Sequence, residues 1–148
     1  HDHVATGVTY ISNIAQLKIN LQDSTNNIAS FNIFKAMSDN GISIDLINVH
    51  PGQIMFTVAE DLAEKATLKL QELGCDVQTT VACAKVSVVG GGINGVPGVM
   101  ANFVESLVLN NIPILQTVDS HTSISVLINK NFIQSAVTAL HEKFNLSC

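Results

Sequence analysis

The sequence predicts an α+β protein in which one β-α-β-β-α-β unit is built twice, each copy an antiparallel sheet with two helices on one face. Three observations carry that expectation. Segments of period 2 and period 3.6 succeed one another in this order, the order restarts near Ala84, and the two runs match at an offset of 70 positions. A chain of 148 residues that is 47% apolar can furnish the cores of two such modules.

Ala15 to Gln22, AQLKINLQ, alternates with Leu17, Ile19 and Leu21 on one side, the pattern of a half-buried strand. DSTNN then supplies turn and capping chemistry, and Ile28 to Asn40 places Ile33, Phe34 and Met37 at helical spacing before Gly41. ISIDLINV from Ile42 and QIMFTV from Gln53 are strands joined by His50-Pro51-Gly52, too short for anything but a hairpin. A helix capped by Asp61 follows through Leu62, Ala66, Leu70 and Leu73 to Gly74, and CDVQTTVA closes the module as a strand.

The second copy runs through strand AKVSVV, a glycine loop, a helix from Val99 to Asn110, strand IPILQTV, turn DSHT and strand SISVLI. Its last helix carries Ile133, Val137, Leu140 and Phe144. Ile42 and Ile112, Phe34 and Val104, and Met37 and Leu107 mark the offset. The second copy lacks a fourth strand, while Val4 to Ile11, VATGVTYI, alternates like a strand with no partner in the first. An unpaired edge exposes donors and acceptors, so this strand is expected to complete the second module. The predicted domains are 12–82, and 83–148 with strand 4–11, both ferredoxin-like.

Composition narrows the function. A net charge of −5 excludes the clustered basic surface a nucleic acid partner requires. No apolar run approaches the roughly 20 residues of a membrane span, and no secretory leader is visible. Cys75, Cys83 and Cys148 are odd in number and lack C-x-x-C spacing, which suits free thiols in a reducing cytoplasm. The chain opens at His1 without Met, as a fragment or trimmed chain would, and His1 and His3 read as a terminal remnant before a metal pair. His50 and His121 are expected as turn residues and His141 as exposed beside Glu142 and Lys143. Asp119-Ser120-His121 is no catalytic triad, because adjacent strand side chains point to opposite faces.

VVGGGINGVPG, from Val88 to Gly98, fits the dinucleotide spacing G-x-G-x-x-G, and Asp119 lies 24 residues beyond Gly95. Yet only SHT separates Asp119 from the next strand, which permits a hairpin and not the crossover of a parallel sheet. The loop suits a small anion instead. Its glycines let backbone N–H groups approach a ligand, and Pro97 sets a helix entry whose N-terminus favours an α-carboxylate. A loop that merely turns strand into helix is the plainer alternative.

Five segments, VATGVTY at Val4, ISIDLIN at Ile42, CAKVSVVGGGINGVPGV at Cys83, IPILQTVDSHTSISVLI at Ile112 and AVTALHEKFNL at Ala136, make the chain resemble the tandem ACT domains of the aspartokinase regulatory region. LQTVDSHTSISVL and DLINVHP look most like the Gram-positive enzymes that respond to diaminopimelate or lysine. The resemblance implies an allosteric, feedback-sensing segment with no catalysis and no cofactor of its own, whose parent carries an N-terminal kinase domain acting on aspartate with ATP. It further implies a cytoplasmic homodimer through ACT-ACT pairing, with an amino-acid effector (lysine, diaminopimelate or threonine) at the interface.

Carried over by position, the effector site falls on Ile93 to Val99 and on Gln116 to Ser120. Amides at Val96, Gly98 and Val99 beside Pro97 would meet the effector's carboxylate, with Asn94, Gln116, Asp119 and neighbouring Ser120 toward its ammonium group. Ser43-Ile44-Asp45 matches a family S-V-D strand and would bring Asp45 to a side-chain amine. The family's Pro-Gly at the first module's helix start is Asn27-Ile28 here, which favours one site per module pair over two. A stand-alone ACT-type sensor or homo-oligomerisation scaffold is the alternative.

Overall fold

The computed structural model describes residue 5, residues 7–21 and residues 27–145, apart from the side chains of Asn27 and Asn94. His1, His3, Val4, the turn at 23–26 and Cys148 lie outside the described residues. The elements are β1 (Gly7–Asn20), α1 (Asn27–Asp39), β2 (Asp45–His50), β3 (Gln53–Ala59), α2 (Ala63–Glu72), β4 (Asp76–Val89), α3 (Val99–Leu109), β5 (Gln116–Asp119), β6 (Ser123–Asn129) and α4 (Ile133–Lys143). The fold is α+β with antiparallel strand pairing, as the sequence predicts.

The chain divides into two units, residues 13–82, and residues 1–12 together with 83–148. In the first the hydrogen-bonded order is β2-β3-β1-β4, and in the second β1-β4-β6-β5. β1 and β4 each pass from one unit into the other. Where the sequence suggests four short strands at 4–11, 15–22, 75–82 and 84–89, there are thus two strands of 14 residues each. The cause is visible in the backbone. Asn13 has φ 61 and Ala82 has φ 60, left-handed values inside strands that shift the in-out alternation without ending the hydrogen-bonded ladder.

In residues 13–82, Leu17 and Ile19 on β1 and Ile54, Phe56 and Val58 on β3 meet Ile33 and Met37 of α1 and Ala66 and Leu70 of α2. The strand positions alternate, so both helices cover the same face. The other unit repeats this with Val86, Val88, Ile124, Val126 and Ile128 against Phe103, Leu107, Ala136 and Leu140, and Ala5 and Val8 join the same core. The register matches as well: Ile54 stands opposite Val49 as Ile124 stands opposite Asp119.

Three local expectations change. Asp61 does not cap α2: residues 60–62 form a 3-10 turn, and α2 starts after Leu62 without a side-chain cap. Residues 42–44 lie outside β2 and residues 112–115 outside β5, and the register of β2 slips between Asp45 and Asn48 at Leu46, with φ 49. His141 is half-buried rather than exposed, and its Nδ1 is buried with no hydrogen-bond partner among the described residues.

Candidate functional site

The glycine loop is fixed at both ends. Gly90 N–H donates to Thr122 O at 2.8 Å, tying the end of β4 to the β5-β6 hairpin, and the fully buried Ile93 anchors the middle of the loop in the core. Gly92 and Gly98 have φ 69 and 83, conformations that an L side chain adopts at a cost. Gly98 stands at the N-cap of α3 and offers no side chain to cap it.

That start leaves donors open. The first bond of helical type is Asn102 N–H to Gly98 O at 3.0 Å. Val96 and Val99 N–H are turned inward, to Ile93 O at 3.3 Å and Val96 O at 3.4 Å, both longer than a good amide bond. Among the described residues the amides of Gly98, Met100 and Ala101 have no backbone acceptor. They lie where the helix dipole concentrates positive potential.

These residues border a cavity of about 280 Å³ lined by residues 96–101, Asp119 and Ile124. Asp119 is brought there by the hairpin: it ends β5 opposite Ile124, and the turn beyond closes through Ser120 N–H to Ser123 O at 2.8 Å and a 2.9 Å contact between the Ser120 and Ser123 hydroxyls. One wall therefore presents hydrogen-bond donors and another a carboxylate. The pairing is complementary to a zwitterion, an α-carboxylate toward the amides and an ammonium toward Asp119.

Of the residues singled out from sequence, Val96, Pro97, Gly98, Val99 and Asp119 line this one cavity. Gln116 does not: it is buried on β5 opposite Leu127. Ser120 sits in the hairpin turn just beyond Asp119, and Asn94 lies in the 3-10 turn at 93–95, its side chain outside the described residues. Ser43 and Asp45 belong to the unit of residues 13–82, where both are exposed and Asp45 O accepts from Thr57 Oγ1 at 3.2 Å. Met100, Ala101 and Ile124 escaped the sequence reading. The signal for the first two was available, since the second and third positions of any helix carry amides with no partner inside it.

The same segment stands out in comparison with known proteins. The ACT domain family matches residues 79–142, which include the loop, α3 and the β5-β6 hairpin. A Bacillus subtilis protein named aspartokinase 1 is 42% identical over 99% of this chain and 36% of its own length. The ligand-free regulatory subunit of aspartate kinase from Thermus thermophilus superimposes with a TM-score of 0.85 at 27% identity, over 95% of this chain and 99% of that one. Aspartate kinase from Synechocystis gives a TM-score of 0.85 at 28% identity, over 98% of this chain and 27% of that one.

By the match over residues 79–142, the second half of the chain belongs to the ACT-domain family. Within it, the likeness is to the regulatory part of aspartokinases, the part that in the Thermus thermophilus structure is a separate subunit. The chain spans about a third of the length of the curated relatives it matches, 36% and 30% for the first two. Among the described residues no helix is long and apolar enough to cross a membrane.

Proposed function

We propose that this chain is the effector-sensing segment of an aspartate kinase, binding an end product of the aspartate pathway (lysine, diaminopimelate or threonine) and passing that event to a kinase domain in the parent protein. The observation that carries the reading is the one cavity lined by both Asp119 and the residues with open amides, Gly98, Met100 and Ala101. Support comes from the family match over the same residues and from the aspartokinase relatives. The modules are taken as 12–82, and 83–148 with strand 4–11, acting in the cytoplasm as a homodimer whose ACT-ACT interface completes the effector site. Asn94, Gln116, Ser120, Ser43 and Asp45 join the site as outer contributors in that assembly.

The mechanism is population shift. An effector that binds one dimer arrangement better moves the equilibrium by its differential affinity and by no more than that. Thermal denaturation with lysine, threonine, meso-diaminopimelate and NAD tests the binding. An effector at 100 times its Kd should add about 2.7 kcal/mol of stability. A response to NAD alone overturns the amino-acid reading, and a chain that answers to none of the four is left as a scaffold.

A further inference from the structure

The internal repeat gives the cavity residues counterparts 70 positions earlier, and at Gly98, Ala101 and Asp119 the counterparts change the chemistry. Three features of the structure fix the correspondence. Ile42 N–H donates to Met37 O at 2.9 Å as Ile112 N–H donates to Leu107 O at 3.1 Å, the Asn40 and Asn110 side chains each donate to the carbonyl four residues back at 2.7 Å, and Val49/Ile54 pair as Asp119/Ile124 pair. On that register Pro97 and Gly98 correspond to Asn27 and Ile28, Ala101 to Phe31, and Asp119 to Val49.

Each exchange removes something a zwitterion needs. α3 begins at Val99, so Gly98 is a left-handed entry with an open amide, whereas α1 begins at Asn27 and takes Ile28 into the helix. The branched side chain of Ile28 stands where Gly98 has none. The carboxylate of Asp119 becomes the isopropyl group of Val49, and the methyl of Ala101 becomes the ring of Phe31. Ile28, Phe31 and Val49 are 71%, 62% and 56% exposed, so this surface is apolar rather than merely shielded.

We infer that each chain holds a single amino-acid effector, on the unit that carries Gly98 and Asp119, and that Ile28 and Val49 close the counterpart position to such a ligand. This rests on the amino-acid reading proposed above and adds the stoichiometry and the residues that set it. Phe31 adds bulk where Ala101 leaves room.

Isothermal titration of the purified chain with lysine, meso-diaminopimelate and threonine, each in turn, reads both quantities. The expected result is one site per chain, with Asp119→Asn weakening it roughly tenfold or more through loss of the charge-assisted bond. Ala101→Glu should weaken it similarly, although a first-turn Glu favours the helix, because it sets a like charge against the ligand's carboxylate. Its unchanged melting temperature separates lost binding from lost folding. Val49→Ser should leave affinity within about twofold, since that position contributes no contact. Two equivalent sites per chain, or one site that survives both Asp119→Asn and Ala101→Glu but is lost in Val49→Ser, overturns the inference and leaves the amino-acid reading standing. Heat from none of the three amino acids overturns that reading itself, and the inference with it.

Discussion

Ala82 pays a conformational cost that the fold retains. At φ 60 its Cβ crowds the following carbonyl, a penalty of about 1–2 kcal/mol for an L residue. The Glu60 carboxylate holds it there, accepting Ala82 N–H through Oε1 at 2.6 Å. Ala82→Gly should therefore raise stability by roughly 0.5–1 kcal/mol, since relief of the left-handed strain outweighs the entropy of glycine. Glu60→Ala should lower it by about 1–2 kcal/mol through the lost charge-assisted bond, and Glu60→Gln by less because an acceptor remains. Urea denaturation of the three variants measures all of this, and a destabilised Ala82→Gly contradicts the strain. Cys75 makes a separate case. Burial pushes its thiol up from the ordinary value, so little thiolate is present near neutrality. Iodoacetamide should label it far more slowly in the native chain than in urea at pH 7.5. The contrast should shrink as pH rises past the usual thiol range, which mass spectrometry follows. Equal rates in both states at neutral pH would rule this out.

The helix ends repeat one device. Asn40 and Asn110 each turn their side-chain amide onto the carbonyl four residues back, Ala36 O and Ser106 O, both at 2.7 Å. The next residue in each case is left-handed, Gly41 at φ 70 and Asn111 at φ 58. Asn40→Ala and Asn110→Ala should each cost about 1 kcal/mol in thermal or urea unfolding, and comparably, because the geometry is the same. A large inequality between them would show that the two ends are not equivalent. Much of this was legible in the sequence: Ile33 with Met37 and Val104 with Leu107 mark both first helices, and Gly41 punctuates the end of the earlier one. The continuity of β1 and β4 was not. A left-handed residue inside a strand reverses the phase of alternation at Asn13 and Ala82, and a reader of periodicity takes reversed phase for a break. The candidate site was legible in its loop, where consecutive glycines and Pro97 permit close backbone approach, and in Asp119, which the short hairpin returns to that loop. Gln116, placed at the site by family position, is buried on β5 and does not line the cavity. Met100 and Ala101 were passed over although a helix start marks them, because they contribute a backbone amide and not a side chain.

The described residues form two cores, and the sequence order does not follow them. Residues 13–82 contain all four strand segments of their own unit, whereas residues 83–148 depend on residues 1–12 for an edge segment and for Ala5 and Val8 in the core. Residues 13–82 expressed alone should give dispersed amide resonances and a cooperative melt. Residues 83–148 alone should not, and supplying residues 1–12 by a flexible linker should restore both. A cooperative fold in unaided 83–148 would contradict the shared strand. A further consequence concerns synthesis. The first segment of β1 leaves the ribosome about 70 residues before the stretch of β4 with which it pairs. At about 5–20 residues per second, it waits for several seconds with its backbone groups unpaired while the whole 13–82 unit is made behind it. That unit can finish folding first, so slow translation through 83–129 prolongs the life of an exposed strand that begins GVTYIS.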